Sequence, residues 1–151
     1  MSNHFYSGKY IPRNPSKYEG DPTNIIHRSL WERVAFKWCD TNTEVVKWCS
    51  EETVIPYMCK TDGKMHRYFI DLKLQMANGN TYLIEIKPKS QTIPPIQPKR
   101  KTRKYIIEVM NYAKNISKWE AADEYAKSQG WIFQVWTEIS LKNLGIRILT
   151  A

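Results

Sequence analysis

The sequence of 151 residues is poor in the residues that build disulfide-stabilised or zinc-dependent folds. Its three cysteines, Cys39, Cys49 and Cys59, lie ten residues apart, and it has three histidines. No Cys-x-x-Cys pair is present, and these residues offer no close pair of zinc ligands from which to build a site. We therefore expect three passive thiols in a reducing compartment rather than a disulfide framework or a zinc site.

Long apolar runs are also missing, and acidic side chains are outnumbered. No stretch approaches the ~20 apolar residues of a bilayer-spanning helix. The N-terminal residues 1–5 lack the layout of a secretory signal, so we expect a protein of the cytoplasm. The chain has 15 acidic residues and 23 Lys and Arg residues, which gives a formal net charge of +8. This excess favours a polyanionic partner, which is either nucleic acid or an anionic membrane surface.

Apolar residues make up 42% of the chain, which suits one globular domain. Residues 1–23 are rich in Pro, Gly, Ser, Asn and Tyr and predict an extended N-terminal arm, with one domain over residues 24–151. Polar residues 21–24 suit the start of a helix, which we predict over residues 25–38. The apolar face of this helix is predicted to contain Ile26, Leu30, Val34 and Trp38.

The rest of the chain alternates between strand and helix patterns. Strands are predicted at residues 45–49, 53–59, 67–76, 81–87 and 131–136. Helices are predicted over residues 103–115 and from a capping box at Ser117 to Gly130. The tail, with Leu141, Leu144 and Ile148, predicts no definite element. The order α-β-β-β-β-α-α-β predicts an α/β domain with a mostly antiparallel meander and one late strand.

The hairpin around Gly79 sets the register of two of these strands. A two-residue turn at Asn78-Gly79 would pair Glu85 with Leu72, against the polar pattern. A three-residue loop over residues 77–79, with Gly79 in the left-handed conformation, pairs Glu85 with Asp71 instead. Alternation places Lys87 on the same face, about 7 Å along the strand from Glu85. We therefore predict that Asp71, Glu85 and Lys87 meet on one face of the sheet.

This face has a charge pattern that suits phosphodiester chemistry. Two opposed carboxylates, with Cβ atoms about 5 Å apart, repel each other unless a cation lies between them. Hard oxygen ligands select Mg²⁺ or Mn²⁺, and such a cation eases deprotonation of water and offsets charge on a phosphate. Lys87 would orient that water or stabilise developing negative charge. The alternative is an ordinary solvated strand face, because Glu-x-Lys pairs are common on surfaces.

Residues 87–104 contain seven Lys or Arg, four of the eight prolines and no acid. This composition predicts a solvated loop whose basic exit binds DNA phosphates without regard to sequence. No amphipathic apolar stripe accompanies the run, which disfavours a membrane surface. Tyr10, Arg13 and Lys17 could add contacts, or the aromatic residues of the arm could pack on the body. The predicted DNA-binding residues are Lys89, Lys99, Arg100, Lys101, Arg103 and Lys104.

Two groups of motifs carry a resemblance to known nucleases. Residues 67–71 (Arg-Tyr-Phe-Ile-Asp) and 84–88 (Ile-Glu-Ile-Lys-Pro) resemble the PD-(D/E)xK nuclease superfamily. Residues 118–138 are similar to the TnsA-like transposon endonucleases, so that the resemblance spans roughly residues 25–138. The size, charge and layout are similar to those of the head completion nucleases of T-even-type bacteriophages. Ile70 replaces the proline of the superfamily's name, but proline is not a ligand and the chemistry does not need it.

The resemblance implies a restriction-endonuclease-like core, with a mixed β-sheet flanked by helices, and a Mg²⁺- or Mn²⁺-dependent deoxyribonuclease. It implies that Glu32 is a further metal ligand, whereas spacing alone equally allows an exposed ion pair with Arg28. It implies that Gln134 helps hold the water or Lys87; the alternative is a buried amide satisfied by the backbone. The predicted catalytic residues are Glu32, Asp71, Glu85, Lys87 and Gln134, and the predicted metal-binding residues are Glu32, Asp71, Glu85 and Ile86.

The resemblance also implies a biological setting. The protein would process packaged double-stranded DNA before the phage head joins the tail, with head or portal-neck components as partners. It would act in the host cytoplasm or on the virion head. The alternative is a basic DNA-binding plug protein that retains a nuclease-like fold without catalysis. A nuclease that processes RNA is a third interpretation, but the sequence has no marker of single-strand base stacking.

Overall fold

A four-stranded mixed β-sheet organises the structure, a computed structural model that describes residues 7–147. Ile148 and residues 1–6 of the predicted arm lie outside this range. The strands are β1 (Gly8–Lys9), β2 (Ile26–His27), β3 (Val45–Cys49), β4 (Val54–Met58), β5 (Met65–Phe69), β6 (Leu72–Met76), β7 (Thr81–Ile86) and β8 (Ile132–Trp136). The α-helices are α1 (Leu30–Thr41), α2 (Arg103–Gln129) and α3 (Glu138–Asn143), and Pro15–Lys17 and Lys89–Gln91 form single 3-10 turns.

Strand β7 is central in the main sheet, whose order is β3-β6-β7-β8. β3 with β6 and β6 with β7 pair antiparallel, whereas β7 and β8 pair parallel. Ile84 and Ile86 of β7 belong to one apolar cluster with Phe36 of α1, and Leu83 belongs to a second with Trp119 of α2. Both faces of β7 are therefore covered, and the predicted mixed sheet flanked by helices is confirmed.

The β6–β7 hairpin has the predicted register. Leu72 pairs with Ile84, and Gly79 in the loop has a φ of +91°. This backbone conformation favours glycine, because a Cβ there would be strained. The same register, continued by one residue, sets Asp71 opposite Glu85. The three-residue loop inferred from the sequence is the one that the chain forms.

The single strand predicted over residues 67–76 is wrong, because the chain changes partners at Ile70 and Asp71. β5 pairs with β4 in a separate two-stranded sheet, while β6 joins the main sheet. Between them, the N–H of Ile70 donates to the Thr53 carbonyl at 3.0 Å and its carbonyl accepts from the Glu51 N–H at 2.9 Å. The alternation of apolar and polar residues in the sequence continues through this break, which is why the sequence pattern does not reveal it.

Helix α1 begins later than predicted. Ile26 lies in β2, which pairs with β1, and the helix starts after Ser29, whose hydroxyl accepts a hydrogen bond from the Glu32 N–H at 3.2 Å. Asp21 instead closes a local turn by accepting from the Thr23 N–H at 3.0 Å. The buried face consequently differs from the predicted one, and it consists of Glu32, Ala35, Phe36, Cys39 and Asp40.

The two helices predicted over residues 103–130 are one continuous helix, α2. The Ser117 hydroxyl donates to the Ala113 carbonyl one turn back, at 3.2 Å, and does not cap a new helix. Thr102 caps the N-terminus and Gly130 ends the helix in the left-handed conformation, as predicted. The observed order from α1 onward is α-β-β-β-β-β-α-β-α. No helix within residues 7–147, α2 included, is long and apolar enough to cross a bilayer.

The N-terminal segment packs on the body of the protein. Tyr18 is buried and meets Trp48 of β3 edge to face, with ring centroids 4.8 Å apart. The carboxylate of Asp40, buried on α1, accepts hydrogen bonds from the Tyr10 hydroxyl and the Arg13 N–H, both at 2.7 Å. These aromatic residues therefore serve packing. The domain boundary at residue 23 stays a prediction.

Candidate active site

Asp71 and Glu85 lie side by side where β5 gives way to β6. The Asp71 carboxylate accepts a hydrogen bond from the Ile86 N–H at 2.9 Å, across the hairpin. Glu85 on β7 is buried, with 5% of its surface exposed. The Lys87 Nζ lies 3.8 Å from the Glu85 Oε1. The fold thus brings together the three residues whose meeting was predicted from the hairpin register.

Glu32 enters this neighbourhood from the first turn of α1. Only 9% of its surface is exposed, and its carboxylate accepts a hydrogen bond from the Arg28 N–H at 3.2 Å. The Arg28 guanidinium turns instead to Glu51, with two contacts of 2.7 and 3.0 Å. The exposed ion pair between Arg28 and Glu32, which the spacing allowed, is therefore absent from residues 7–147.

Electrostatic repulsion links the three acids. Burial raises the pKa of Asp71 well above its usual range, and the nearby charges of Glu85 and Glu32 raise it further. Burial also raises the pKa of Glu32, against the opposing effect of the Arg28 N–H. Without a cation, Asp71 and Glu32 therefore lose their protons less readily than free carboxyl groups do. A bound cation would relieve this repulsion.

The donors of this cluster suit a hard divalent cation, because Glu32, Asp71 and Glu85 all offer carboxylate oxygens. Their oxygen atoms are not yet gathered into a tight group. Within residues 7–147, one set of three potential ligand residues (Asp, Glu, Cys or His) has its ligand atoms within 4.8 Å of one another. That set lies elsewhere, in the β4–β5 hairpin. Ile86, also in the predicted metal-binding set, offers only backbone atoms, and its N–H is engaged by Asp71. Cation binding by all three carboxylates at once requires them to draw closer together.

Two residues that the sequence reasoning missed surround Glu85. The buried hydroxyl of Tyr68 donates a hydrogen bond to the Glu85 Oε2. The Lys118 Nζ on α2 lies 5.4 Å from the centroid of the Tyr68 ring. Burial lowers the pKa of Lys118, and Glu85 opposes this effect. Tyr68 stands in the same motif as Asp71, but no spacing in the sequence connects Lys118 with Glu85.

Gln134 is not brought to this cluster. In the parallel pairing of β7 with β8, Gln134 lies beside Ile84 and Val135 lies beside Glu85. Because paired residues share a face of the sheet, Gln134 and Glu85 point to opposite faces. The Gln134 side chain is exposed, and its Oε1 accepts a hydrogen bond from the Trp136 indole N–H at 3.0 Å. The buried-amide alternative is wrong for this exposed side chain, whereas the catalytic role of Gln134 stays a prediction that its placement does not support.

The predicted DNA-binding residues are all exposed. Lys99, Arg100 and Lys101 precede α2, and Arg103 and Lys104 lie in its first turn. The backbone N–H of Lys89 donates to the Glu138 Oε1 at 2.9 Å, which fixes the chain just after the central strand. At 1.5 Å per residue, the 15 residues from Arg103 to Lys118 on α2 separate the basic run from the acidic cluster by roughly 20 Å.

Similarity to known proteins places this geometry in a family. The family described as TnsA-like endonuclease N terminal matches residues 42–138, which contain Asp71, Glu85 and Lys87. The chain belongs to the TnsA-like endonuclease family. The head completion nuclease of Enterobacteria phage T4 is 42% identical over 146 residues, which cover 94% of this chain and 97% of that protein. No solved structure matches the chain.

These matches confirm the resemblance to the TnsA-like endonucleases and the resemblance to the head completion nucleases of T-even-type bacteriophages. The segment matched by the family contains Tyr68 and Lys118 as well as Asp71, Glu85 and Lys87. Glu32 lies on α1, before that segment begins. The match to the phage T4 protein covers most of the chain.

Proposed function

We propose that this TnsA-like protein is a divalent-cation-dependent DNA nuclease that acts in phage head completion. The observation that carries the proposal is the meeting of Asp71, Glu85 and Lys87 at one end of the central hairpin, with Glu32 beside them. The setting is supported by the name of the T4 relative, a head completion nuclease, and by the 42% identity.

The acidic residues of the cluster would hold the cation. Mg²⁺ or Mn²⁺ bound there supplies positive charge against the scissile phosphate and eases deprotonation of water. Asp71 is held by the Ile86 N–H, and Glu85 is held by the Tyr68 hydroxyl on one oxygen and approached by Lys87 on the other. These contacts keep both carboxylates oriented before DNA arrives.

Lys87 has the position of a group that acts on the reacting phosphate. Its ammonium lies 3.8 Å from the Glu85 carboxylate, and about a fifth of its side chain, 21%, remains exposed. It can therefore touch both the acidic cluster and a phosphate that enters from solvent. In that place the ammonium orients the attacking water or stabilises the negative charge that develops on phosphate oxygens.

Double-stranded DNA would be held along α2. The exposed positive charges of residues 99–104 can neutralise several phosphates, which gives sequence-independent and salt-dependent affinity. The partly buried Lys118 on the same helix faces the acidic cluster. A duplex lying along α2 would thus place one backbone near Lys87 while a phosphate roughly 20 Å away meets the basic run.

Plasmid digestion tests the proposal directly. The protein is incubated with supercoiled DNA in Mg²⁺, in Mn²⁺ and in a chelator, and Asp71→Asn and Lys87→Met are compared with the wild type. We expect the wild type to cut only with a cation, and each variant to cut at least about 100-fold more slowly. Cleavage by both variants at the wild-type rate would show that the site is elsewhere.

Asp123 and Lys127 provide matched controls. They form an exposed ion pair of 2.8 Å near the end of α2, away from the acidic cluster. Asp123→Asn and Lys127→Met make the same changes of charge as the two test variants. Both controls should cut DNA at the wild-type rate, so that a loss seen only at Asp71 and Lys87 reports on the site.

A basic plug protein without catalysis is the second candidate. The exposed basic run favours it, as does the separation of the three carboxylates, which form no tight ligand group within residues 7–147. Calorimetric titration with Mn²⁺ separates the two functions. Tight DNA binding without Mn²⁺ binding at millimolar concentration would support the plug, whereas Mn²⁺ binding that Asp71→Asn removes supports the nuclease.

A further inference from the structure

Three different ligand atoms meet at the tip of the β4–β5 hairpin. The Sγ of Cys59, a carboxylate oxygen of Asp62 and a ring nitrogen of His66 all lie within 4.8 Å of one another. The turn that gathers them is closed by two backbone hydrogen bonds: the Cys59 N–H donates to the Lys64 carbonyl at 2.9 Å, and the Gly63 N–H donates to the Cys59 carbonyl at 2.8 Å. These backbone hydrogen bonds therefore fix the main-chain positions from which the three side chains extend.

The side chains of the cluster are also oriented by neighbours. The His66 Nε2 lies 2.7 Å from the Asp62 Oδ2, and the Cys59 Sγ lies 3.0 Å from the Thr61 Oγ1. The imidazole stacks on the ring of Tyr57, with centroids 5.7 Å apart and an angle of 30° between planes. Cys59 is buried at the base, whereas Asp62 is exposed and His66 is partly exposed.

We propose that Cys59, Asp62 and His66 form a Zn²⁺ site that is separate from the acidic cluster. A thiolate sulfur, an imidazole nitrogen and a carboxylate oxygen are the donors that tetrahedral zinc takes in proteins, and the sulfur and nitrogen disfavour Mg²⁺. Three protein ligands leave the fourth tetrahedral position for water or another small ligand.

The distances are close to those that zinc needs. With bonds of about 2.0–2.3 Å, the ligand atoms of a tetrahedral site lie about 3.3–3.7 Å apart. The pair His66 and Asp62, now at 2.7 Å, would open by about 0.6–1.0 Å. A pair at the upper limit of 4.8 Å would close by about 1.1–1.5 Å. Asp62 and His66 reach solvent, so rotation of their side chains can supply these shifts.

The site would stabilise the strand that carries Tyr68. His66 lies two residues before Tyr68 on β5, and Cys59 follows the end of the partner strand β4. A cation bound to both would link the two strands across their turn. Lys60, beside Cys59, already connects the turn to α2, because its N–H donates to the Ser117 hydroxyl at 3.3 Å. Zinc is therefore expected to raise the thermal stability of the hairpin and of its contact with α2.

Calorimetric titration of the tag-free, chelator-treated protein with Zn²⁺ tests this inference, with Co²⁺ absorption as a second readout. We expect a sulfur-to-cobalt charge-transfer band and Zn²⁺ binding that Cys59→Ser and His66→Ala each weaken by at least about 100-fold. Asp71→Asn should leave the sulfur-to-cobalt band unchanged, which separates this site from the proposed nuclease centre. Serine at position 59 can keep the hydrogen bond to Thr61, and circular dichroism without metal checks that each variant folds.

Two results would overturn the inference. One is an absence of Zn²⁺ binding by the folded wild-type protein at micromolar concentration. The other is binding that persists at full strength in both Cys59→Ser and His66→Ala. Asp62→Asn should also weaken Zn²⁺ binding, and Asp123→Asn, which removes a partly exposed acid elsewhere, should leave it unchanged. Because nuclease activity is not the readout, failure of this site and failure of the proposed function are distinguishable.

Discussion

Replacing Tyr68 with Phe tests whether Glu85 is held in place by the hydroxyl of this tyrosine. Only 3% of Tyr68 is exposed, and its hydroxyl donates to the Glu85 carboxylate. Phe keeps the ring, the packing on Tyr57 and the contact with Lys118, so only the hydrogen bond is lost. A hydrogen bond to a charged group contributes about 1.5–3 kcal/mol. If that energy orients Glu85 for catalysis, cleavage slows by about 10- to 150-fold.

The assay is steady-state cleavage of plasmid DNA at saturating Mg²⁺, with kcat and KM measured separately. Because Tyr68 is buried and cannot touch DNA, the loss is expected in kcat, with KM for DNA unchanged. Tyr57→Phe is the matched control, because Tyr57 is also a buried tyrosine of the β4–β5 hairpin. Within residues 7–147, the tyrosine that donates a hydrogen bond to Glu85 is Tyr68, not Tyr57. Equal kcat values for Tyr68→Phe and the wild type would refute the reasoning.

Three further predictions concern the fold and DNA binding. Burial raises the pKa of Asp40, but hydrogen bonds from Tyr10 and the Arg13 N–H outweigh the effect of burial and hold the pKa below its usual value. The lowered pKa contributes stability that is present above about pH 4 and is lost as pH falls through the folded-state pKa. Asp40→Ala should therefore lower the free energy of unfolding by about 2–4 kcal/mol at pH 7, and the difference from the wild type in urea titrations should shrink in acid. Gly79→Ala should cost about 1–2 kcal/mol, measured in the same titrations, because φ is +91° although a Cβ would meet no atom within 4 Å. Changing residues 99–101 to alanine should flatten the plot of log affinity for duplex DNA against log salt by about 0.9 per lost phosphate contact, up to about 2.7; an unchanged slope would exclude these residues from the interface.

The part of the candidate site that lies on the β6–β7 hairpin could be predicted from the local sequence pattern. Asp71, Glu85 and Lys87 alternate with apolar residues, and Gly79 fixes the loop length, so the register follows from the hairpin alone. Tyr68 and Lys118 could not be found in this way. The hydrogen bond from Tyr68 to Glu85 and the approach of Lys118 to the Tyr68 ring depend on how the β4–β5 hairpin and α2 pack on the main sheet, which is a tertiary arrangement.

The wrong predictions share a physical cause. At Ser117 the pattern of a capping box was present, but its hydroxyl bonds to the carbonyl of Ala113 and the helix continues. At Ile70 the apolar and polar residues alternate without interruption while the backbone changes partner strands. The sequence also does not reveal which face Gln134 occupies, because the parallel register with β7 sets it. In each case the deciding partner is a backbone group or a strand that side-chain periodicity does not specify.

The separation of the two candidate metal sites has a chemical basis. Glu32, Asp71 and Glu85 offer oxygen alone, which suits Mg²⁺ or Mn²⁺, whereas the hairpin tip adds the sulfur of Cys59 and a nitrogen of His66. Sequence spacing suggested no zinc ligands, because the third ligand of that set is an aspartate in a turn rather than a second cysteine or histidine.

The measurement that tests the central claim most directly is a crystal structure of the protein soaked in Mn²⁺, with an anomalous difference map. The account predicts a peak about 2.0–2.3 Å from carboxylate oxygens of Asp71 and Glu85, with the Glu32 carboxylate drawn toward it. The same soak of Asp71→Asn should lose that peak. The soak uses millimolar Mn²⁺ and a crystal form in which the site is open to solvent. A map of the wild-type protein without a peak at these carboxylates would contradict the account.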